Sequence, residues 1–188
     1  MNLIIFGPPG AGKGTQSNFI AKSYNLFQLS TGEILRDQIK KKTDLGIKIS
    51  PVINSGSFVS DEIVSELIEK IIKEKKYYNR IIFDGYPRSL AQAKNLDNLL
   101  KKYNQKVNLV FKLSVSLETI KKRISERLTL EKRADDSEEI AIKRYKTYEK
   151  STEPVIDYYK KLDLLKVIDG EGPIDQINKE ISDIIRSI

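Results

Sequence analysis

The short apolar run Leu3-Ile4-Ile5-Phe6 breaks directly into Gly7-Pro8-Pro9-Gly10-Ala11-Gly12-Lys13-Gly14-Thr15, and a helical pattern follows. No other stretch constrains the fold as tightly. A strand stopped by spaced glycines, with a lysine where the next helix begins, lets backbone N–H groups converge on one point. The helix N-terminus favours negative charge there and Lys13 adds a point charge, so the loop reads as a cradle for phosphate oxygens. The strict form of such a loop has Ser or Thr directly after the lysine. Here Gly14 takes that place and Thr15 stands one later, which argues against the loops of standard GTPases and motors.

The remaining pattern supplies a scaffold for that loop. The runs 2–7, 26–29, 80–84, 107–113 and 164–169 are apolar or β-branched and read as buried parallel strands. Helical stripes lie between them. Residues 61–76 align Ile63, Val64, Leu67, Ile68, Ile71 and Ile72 behind a Ser60 cap, and 89–103 align Leu90, Ala93, Leu96, Leu99 and Leu100 behind Ser89. Residues 117–128 and 174–186 carry two more stripes. Strands alternating with helices predict a doubly wound α/β sheet with helices on both faces. Two stretches exceed a simple crossover: 30–60, with room for two or more short helices, and 126–137, charged and poor in apolar anchors. Both read as small lobes mounted on the sheet.

Composition narrows the chemistry. The 188 residues include no cysteine and no histidine, which removes disulfides, thiolate nucleophiles, Cys-ligated zinc and the usual general base. A net charge of +7 invites a polyanion, but no basic tail exists and the longest lysine run is Lys40-Lys41-Lys42. Arginines are scarcer than lysines, so each one carries more information. The N-terminal run lacks the basic flank and length of a secretory signal, and no segment approaches the ~20 apolar residues of a membrane span. A cytoplasmic location, without membrane or nucleic-acid partners, is expected.

With these motifs in view, the chain resembles the adenylate kinases in their short-lid form. The resemblance runs essentially end to end. It is carried by the loop at 7–15, Ser30-Thr31-Gly32-Glu33 with Arg36, and Phe83-Asp84-Gly85-Tyr86-Pro87-Arg88 with Gln92. Arg123, Arg127, Arg133-Ala134-Asp135-Asp136, Arg144 and Thr152-Glu153-Pro154 continue it in order. Six of the eight arginines fall on these motifs, only Arg80 and Arg186 outside them. Two nucleotides meeting phosphate to phosphate carry about six negative charges, and forked guanidiniums suit the task of neutralising and aligning them. The attacking phosphate arrives ionised, so the missing histidine is no obstacle.

The resemblance implies a P-loop NTPase-type, five-stranded parallel sheet in one 188-residue domain. Its core would be 1–29, 60–125 and 137–188, its NMP-binding lobe 30–59 and its short lid 126–136. It implies Mg2+-dependent, reversible transfer of a phosphoryl group from ATP to AMP, giving two ADP, by a monomer. Gly10, Ala11, Gly12, Lys13, Gly14 and Thr15 would hold ATP phosphates, with Arg123 and Arg127 presented together at i, i+4 and the Gly172 backbone near the ATP adenine. Asp84 would organise Mg2+ through water. Arg36 and Arg88 would grip the AMP phosphate, and Arg133 and Arg144 the transferring group. Thr31 and Gln92 would meet the AMP adenine, in a pocket completed by the backbone of Ser57, Phe58 and Val59 and floored by Gly85, Tyr86, Pro87 and Arg88. Only five residues separate Arg127 from Arg133, so a long, zinc-bound lid is not expected. Two alternatives stand beside this reading: a UMP/CMP kinase, against which Thr31 speaks because such relatives tend to carry Ala there, and a nucleotide-dependent binding or switch protein. The latter would need a guanine-reading Asn-Lys-x-Asp motif, which the sequence lacks.

Overall fold

The computed structural model describes residues 1–131 and 137–188. Five parallel strands form one sheet: β1 (Leu3–Phe6), β2 (Phe27–Ser30), β3 (Ile81–Asp84), β4 (Leu109–Ser114) and β5 (Leu165–Asp169), in the order β2-β3-β1-β4-β5. Every residue of β1 and β3 is buried. Strands covered on both faces have no side for water, which is why they read as unbroken apolar runs.

Helices α1 (Lys13–Tyr24), α2 (Thr31–Lys40), α3 (Asp44–Asn54), α4 (Asp61–Ile72), α5 (Leu90–Lys102), α6 (Leu117–Glu131), α7 (Glu138–Lys161) and α8 (Ile174–Arg186) surround the sheet. Alternate strand residues point to opposite faces, and the core divides accordingly. Leu3 and Ile5 pack with Ile82, Phe111, Ile20 of α1 and Ile177, Ile181 and Ile185 of α8. Ile4 and Phe6 pack with Phe83, Ile68 of α4, Leu96 and Leu100 of α5, and Ile156 and Tyr159 of α7. Among the described residues no helix is long and apolar enough to cross a membrane.

The strand order creates the crevice. From β1 the chain turns through α1 to β2 on one side; from the adjacent β3 it turns through α5 to β4 on the other. The loops therefore leave neighbouring strands in opposite directions and open a gap at their carboxyl ends. Register sets Ile5 beside Asp84, so the glycine loop and the Asp84 carboxylate flank that gap.

Several sequence expectations shift. The helix expected over 61–76 ends at Ile72, and Lys75–Tyr77 forms a 3-10 turn; after Ile72 the charged run Lys73 to Lys76 offers nothing to continue the buried stripe. Ser60 stands at the N-cap but its hydroxyl makes no cap bond, whereas Ser89 accepts from Gln92 N at 3.2 Å and Ser30 from Glu33 N at 3.4 Å. The stripe at 117–128 continues as helix to Glu131, through the first half of the expected lid. Leu130 there is 83% exposed, so those turns persist on local propensity rather than packing. The 24-residue α7 is not among the helical stripes that the sequence predicts. Its first half is charged and Pro154 interrupts its second, which hides the stripe of Tyr148, Val155, Ile156 and Tyr159 that packs on the core.

Candidate active site

Gly10 and Gly12 take φ values of 85° and 91°, left-handed backbone that costs a residue with a Cβ about 1 kcal/mol or more. At Gly10 packing adds a second reason: a Cβ would lie 3.0 Å from Ile124 Cγ1 and 3.1 Å from the Ile120 carbonyl of α6. Helix α1 then starts at Lys13 with no side-chain cap and no acidic residue in its first turn. Its orphan N–H groups and the positive end of its dipole are left for an external anion.

Lys13 Nζ donates to the carbonyls of Gly7 at 2.7 Å and Pro8 at 3.0 Å. Burial pushes this ammonium down to about 8; the Asp84 carboxylate opposes that, and the guanidiniums of Arg88, Arg144 and Arg127 reinforce it. At pH 7 the group is still charged. A polyphosphate beside it would return its pKa toward the ordinary 10.5. Between pH 8 and 10.5 the free protein then holds a largely neutral Lys13 and the complex a charged one, so binding takes up a proton and weakens as pH rises. Below pH 8 both forms are protonated and this dependence vanishes. Calorimetry of nucleotide binding in buffers of different ionisation enthalpy is expected to show proton uptake at pH 9 that Lys13→Met abolishes; equal uptake by both proteins would refute the assignment.

The loop opens into a cleft of about 590 Å³. Of the expected residues, Gly10 to Thr15, Arg36, Asp84, Gly85, Arg88, Arg123, Arg127, Arg144 and Gly172 line it. Five arginines from three helices and one loop thus face one space. Arg123 is also a clamp, because its guanidinium donates to the Gly170 carbonyl at 2.9 Å and reaches the Ala11 carbonyl at 3.5 Å. It ties the glycine loop to the loop after β5. That second loop is further fixed by Glu171, which accepts from Ser116 N and from Thr119 Oγ1 at the start of α6. Asp84 is 6% exposed at the end of β3, where Gln28 Nε2 donates to it at 3.4 Å.

Thr31, Ser57, Val59, Tyr86 and Gln92 do not line this cleft. Thr31 Oγ1 donates to the Gly85 carbonyl at 3.0 Å, and Arg88 Nε donates to the same oxygen at 2.6 Å. The buried Gln92 accepts from Arg88 N at 2.7 Å and donates through Nε2 to Asp61 at 2.5 Å. Its side-chain carbonyl fixes the Arg88 backbone. Tyr86 is buried with its hydroxyl donating to the main-chain carbonyl of Gln92 at 3.3 Å. Val59 is buried and Ser57 exposed on the turn after α3. A small cavity of about 60 Å³ lies beneath, between Pro9, Phe58, Pro87, Arg88, Arg144 and Tyr148. Arg133, with Asp135 and Asp136, lies outside the described residues.

Sequence reasoning missed some of the lining. Glu126, Leu130, Ile174 and Gln16 border the cleft. Tyr148 borders the smaller cavity with a buried hydroxyl that has no hydrogen-bond partner among the described residues, and burial pushes that hydroxyl up. The signal for Tyr148 was its place four residues after Arg144, on the same face of a helix that went unrecognised.

A family model described as adenylate kinase matches residues 5–164. Adenylate kinase from Pelagibacter ubique is 47% identical, with 99% of this chain and all of that protein aligned. The adenylate kinase of Petrotoga mobilis is 39% identical over 100% of this chain and 98% of its own length. That of Thermus thermophilus is 41% identical over 95% and 94%. The switch-point sheet, the glycine loop and the arginine-lined cleft agree with these likenesses, and the chain belongs to the adenylate kinase family.

Proposed function

We propose that the cleft takes ATP on the glycine loop and AMP on the side of Thr31, Gly85 and Gln92, and transfers the γ-phosphoryl group between them reversibly. The observation that carries this reading is one cleft with a phosphate cradle at one side and guanidiniums converging from α2, the loop after β3, α6 and α7. The N–H groups at the start of α1 and Lys13 would hold the β- and γ-phosphates, with Arg123 and Arg127 beside them. Arg36 and Arg88 would hold the AMP phosphate so that its oxygen faces the γ-phosphorus in line. Arg144, and Arg133 in the segment between α6 and α7, would meet the charge spread over the transferring group. No side chain has to remove a proton, because the attacking phosphate oxygen is ionised near neutral pH.

Asp84 fits an outer-sphere role toward Mg2+. Its Oδ2 lies 3.9 Å from where a Cβ on Gly14 would stand, beside the first turn of α1. Among the described residues no group of three or more potential metal-ligating side chains occurs. A single buried carboxylate suits a magnesium ion that keeps its waters and binds mainly through substrate phosphates. When bound, that ion supplies neutralisation of the phosphate oxygens. Action as a monomer in the cytoplasm belongs to the same reading.

The test is a panel of AMP, CMP, UMP, GMP and dTMP against ATP–Mg2+. AMP is expected to be preferred clearly, and preference for another monophosphate would overturn the substrate while sparing the fold. Gln92→Ala is expected to narrow the AMP-to-CMP preference about tenfold or more. Because Gln92 also holds the Arg88 backbone, the variant should lower kcat as well. ATP binding should change less than either, and an unchanged AMP-to-CMP ratio would misplace the base pocket.

A further inference from the structure

The turn after α3 does more than close a lobe. Gly56 N donates to the Ile53 carbonyl at 2.9 Å and Ser57 N to the Val52 carbonyl at 3.1 Å, which fixes the turn on the helix end. Its backbone docks against α7: Lys143 Nζ donates to the Ser55 carbonyl at 2.7 Å. A Cβ at Gly56 would lie 2.9 Å from Ile140 Cγ2 and 3.2 Å from Arg144 Cγ. Gly56 has φ +72°, so conformation and close approach both demand glycine. The next-but-one residue, the half-buried Phe58, places its ring under the Arg88 guanidinium at 4.8 Å.

We propose that Phe58 is a positioning residue whose ring, carried on this docked turn, holds the Arg88 guanidinium in the plane that grips the AMP phosphate. Arg88 belongs to the loop after β3 and Phe58 to the segment 30–59, so the contact joins parts of the chain far apart in sequence. Two of its contacts bear on how the guanidinium is oriented. Nε donates to the Gly85 carbonyl at 2.6 Å, which sets the edge, and the aromatic face sets the tilt. An edge bond alone leaves rotation about that bond; the stack removes it. Recognition of the base and grip on the phosphate then share one element, because Ser57 and Val59 flank Phe58 in the expected base pocket. A monophosphate that fails to seat the turn also leaves Arg88 loosely aimed.

This inference rests on the assignment of Arg88 to the AMP phosphate, and the experiment separates the two. Steady-state kinetics are measured with AMP and ATP varied in turn for Phe58→Leu, Phe58→Tyr, Gly56→Ala and Arg88→Lys, and for Phe58→Leu combined with Arg88→Lys. Phe58→Leu keeps an apolar side chain and is expected to lower kcat/KM for AMP about five- to tenfold, the scale of a partly desolvated cation–π contact. KM for ATP should stay within about twofold, and Phe58→Tyr, which keeps a ring face, should restore most of the loss. Gly56→Ala should lift the turn and reproduce the same AMP-selective loss. In the Arg88→Lys background Phe58→Leu should cost little more, because the planar fork that the ring orients is gone. A silent Phe58→Leu, a Phe58→Tyr no better than Leu, equal effects on AMP and ATP, or full additivity with Arg88→Lys would each overturn the proposal. A normal Arg88→Lys enzyme would overturn the assignment beneath it as well, whereas a severe Arg88→Lys beside a silent Phe58→Leu overturns the proposal alone.

Discussion

Replacing Lys13 with Met is expected to lower kcat by about 10²- to 10³-fold or more, the scale of losing one preorganised donor to developing charge. The thioether is close to the aliphatic stem in length and volume, so the glycine loop keeps its shape. What disappears is a charge that sits where the loop carbonyls of Gly7 and Pro8 aim it. Stability should move little, because two effects oppose. Two carbonyls lose their donor, each at about 1–3 kcal/mol if water cannot replace it. Against that, an ammonium that burial had pushed down to about 8 no longer has to be kept charged in the site. Single-turnover rates with saturating ATP–Mg2+ and AMP, set beside a thermal melt, check both halves. Near-normal turnover would remove Lys13 from the mechanism. A collapsed melt would make it a structural residue.

The sequence made the sheet legible for a specific physical reason. The central strands β1 and β3 are buried throughout and carry apolar runs, and all five strands appear within one or two residues of their predicted ends. The glycine turn and the capping serine Ser89 marked where α1 and α5 begin, because those positions answer to local backbone chemistry. What stayed hidden answers to contacts distant in sequence. Helix α7 binds the core through Thr152 Oγ1, which donates to the Arg88 carbonyl at 3.3 Å, and through Lys112 with Glu153 at 3.0 Å. Neither contact leaves a periodic trace. The site divides in the same way. Lys13 and the arginines were legible because phosphate chemistry admits few residue types. Gln92 reads as an exposed helix polar, yet it is 4% exposed and splits its amide between Arg88 and Asp61. Phe58 was expected in the base pocket through its backbone alone, and the place of its ring over the Arg88 guanidinium had no sequence signal.

Arg88→Lys is expected to be nearly as damaging as the loss of Lys13, although it keeps the charge. The guanidinium donates through Nε to the Gly85 carbonyl at 2.6 Å, lies with Cζ 4.8 Å from the centre of the Phe58 ring, and borders the cleft. A planar fork can meet a carbonyl, an aromatic face and a phosphate together because its nitrogens point in fixed and different directions. An ammonium has one nitrogen on a flexible stem. If it reaches the Gly85 carbonyl it is drawn from the phosphate, and if it reaches the phosphate that carbonyl loses a partner beside Thr31, whose hydroxyl shares the same oxygen. With charge-assisted hydrogen bonds worth about 1.5–3 kcal/mol each, loss of a two-point grip corresponds to roughly 10²-fold or more in kcat/KM for AMP. ATP affinity should fall only a few-fold, since the glycine loop and α6 carry that side. Fluorescence titration with an ATP analogue, paired with AMP kinetics, separates these effects. A comparable loss on both nucleotides would mean that Arg88 organises the whole cleft rather than one phosphate. A loss below about threefold in kcat/KM for AMP would mean that charge alone suffices at this position, and the forked geometry would then carry no catalytic weight.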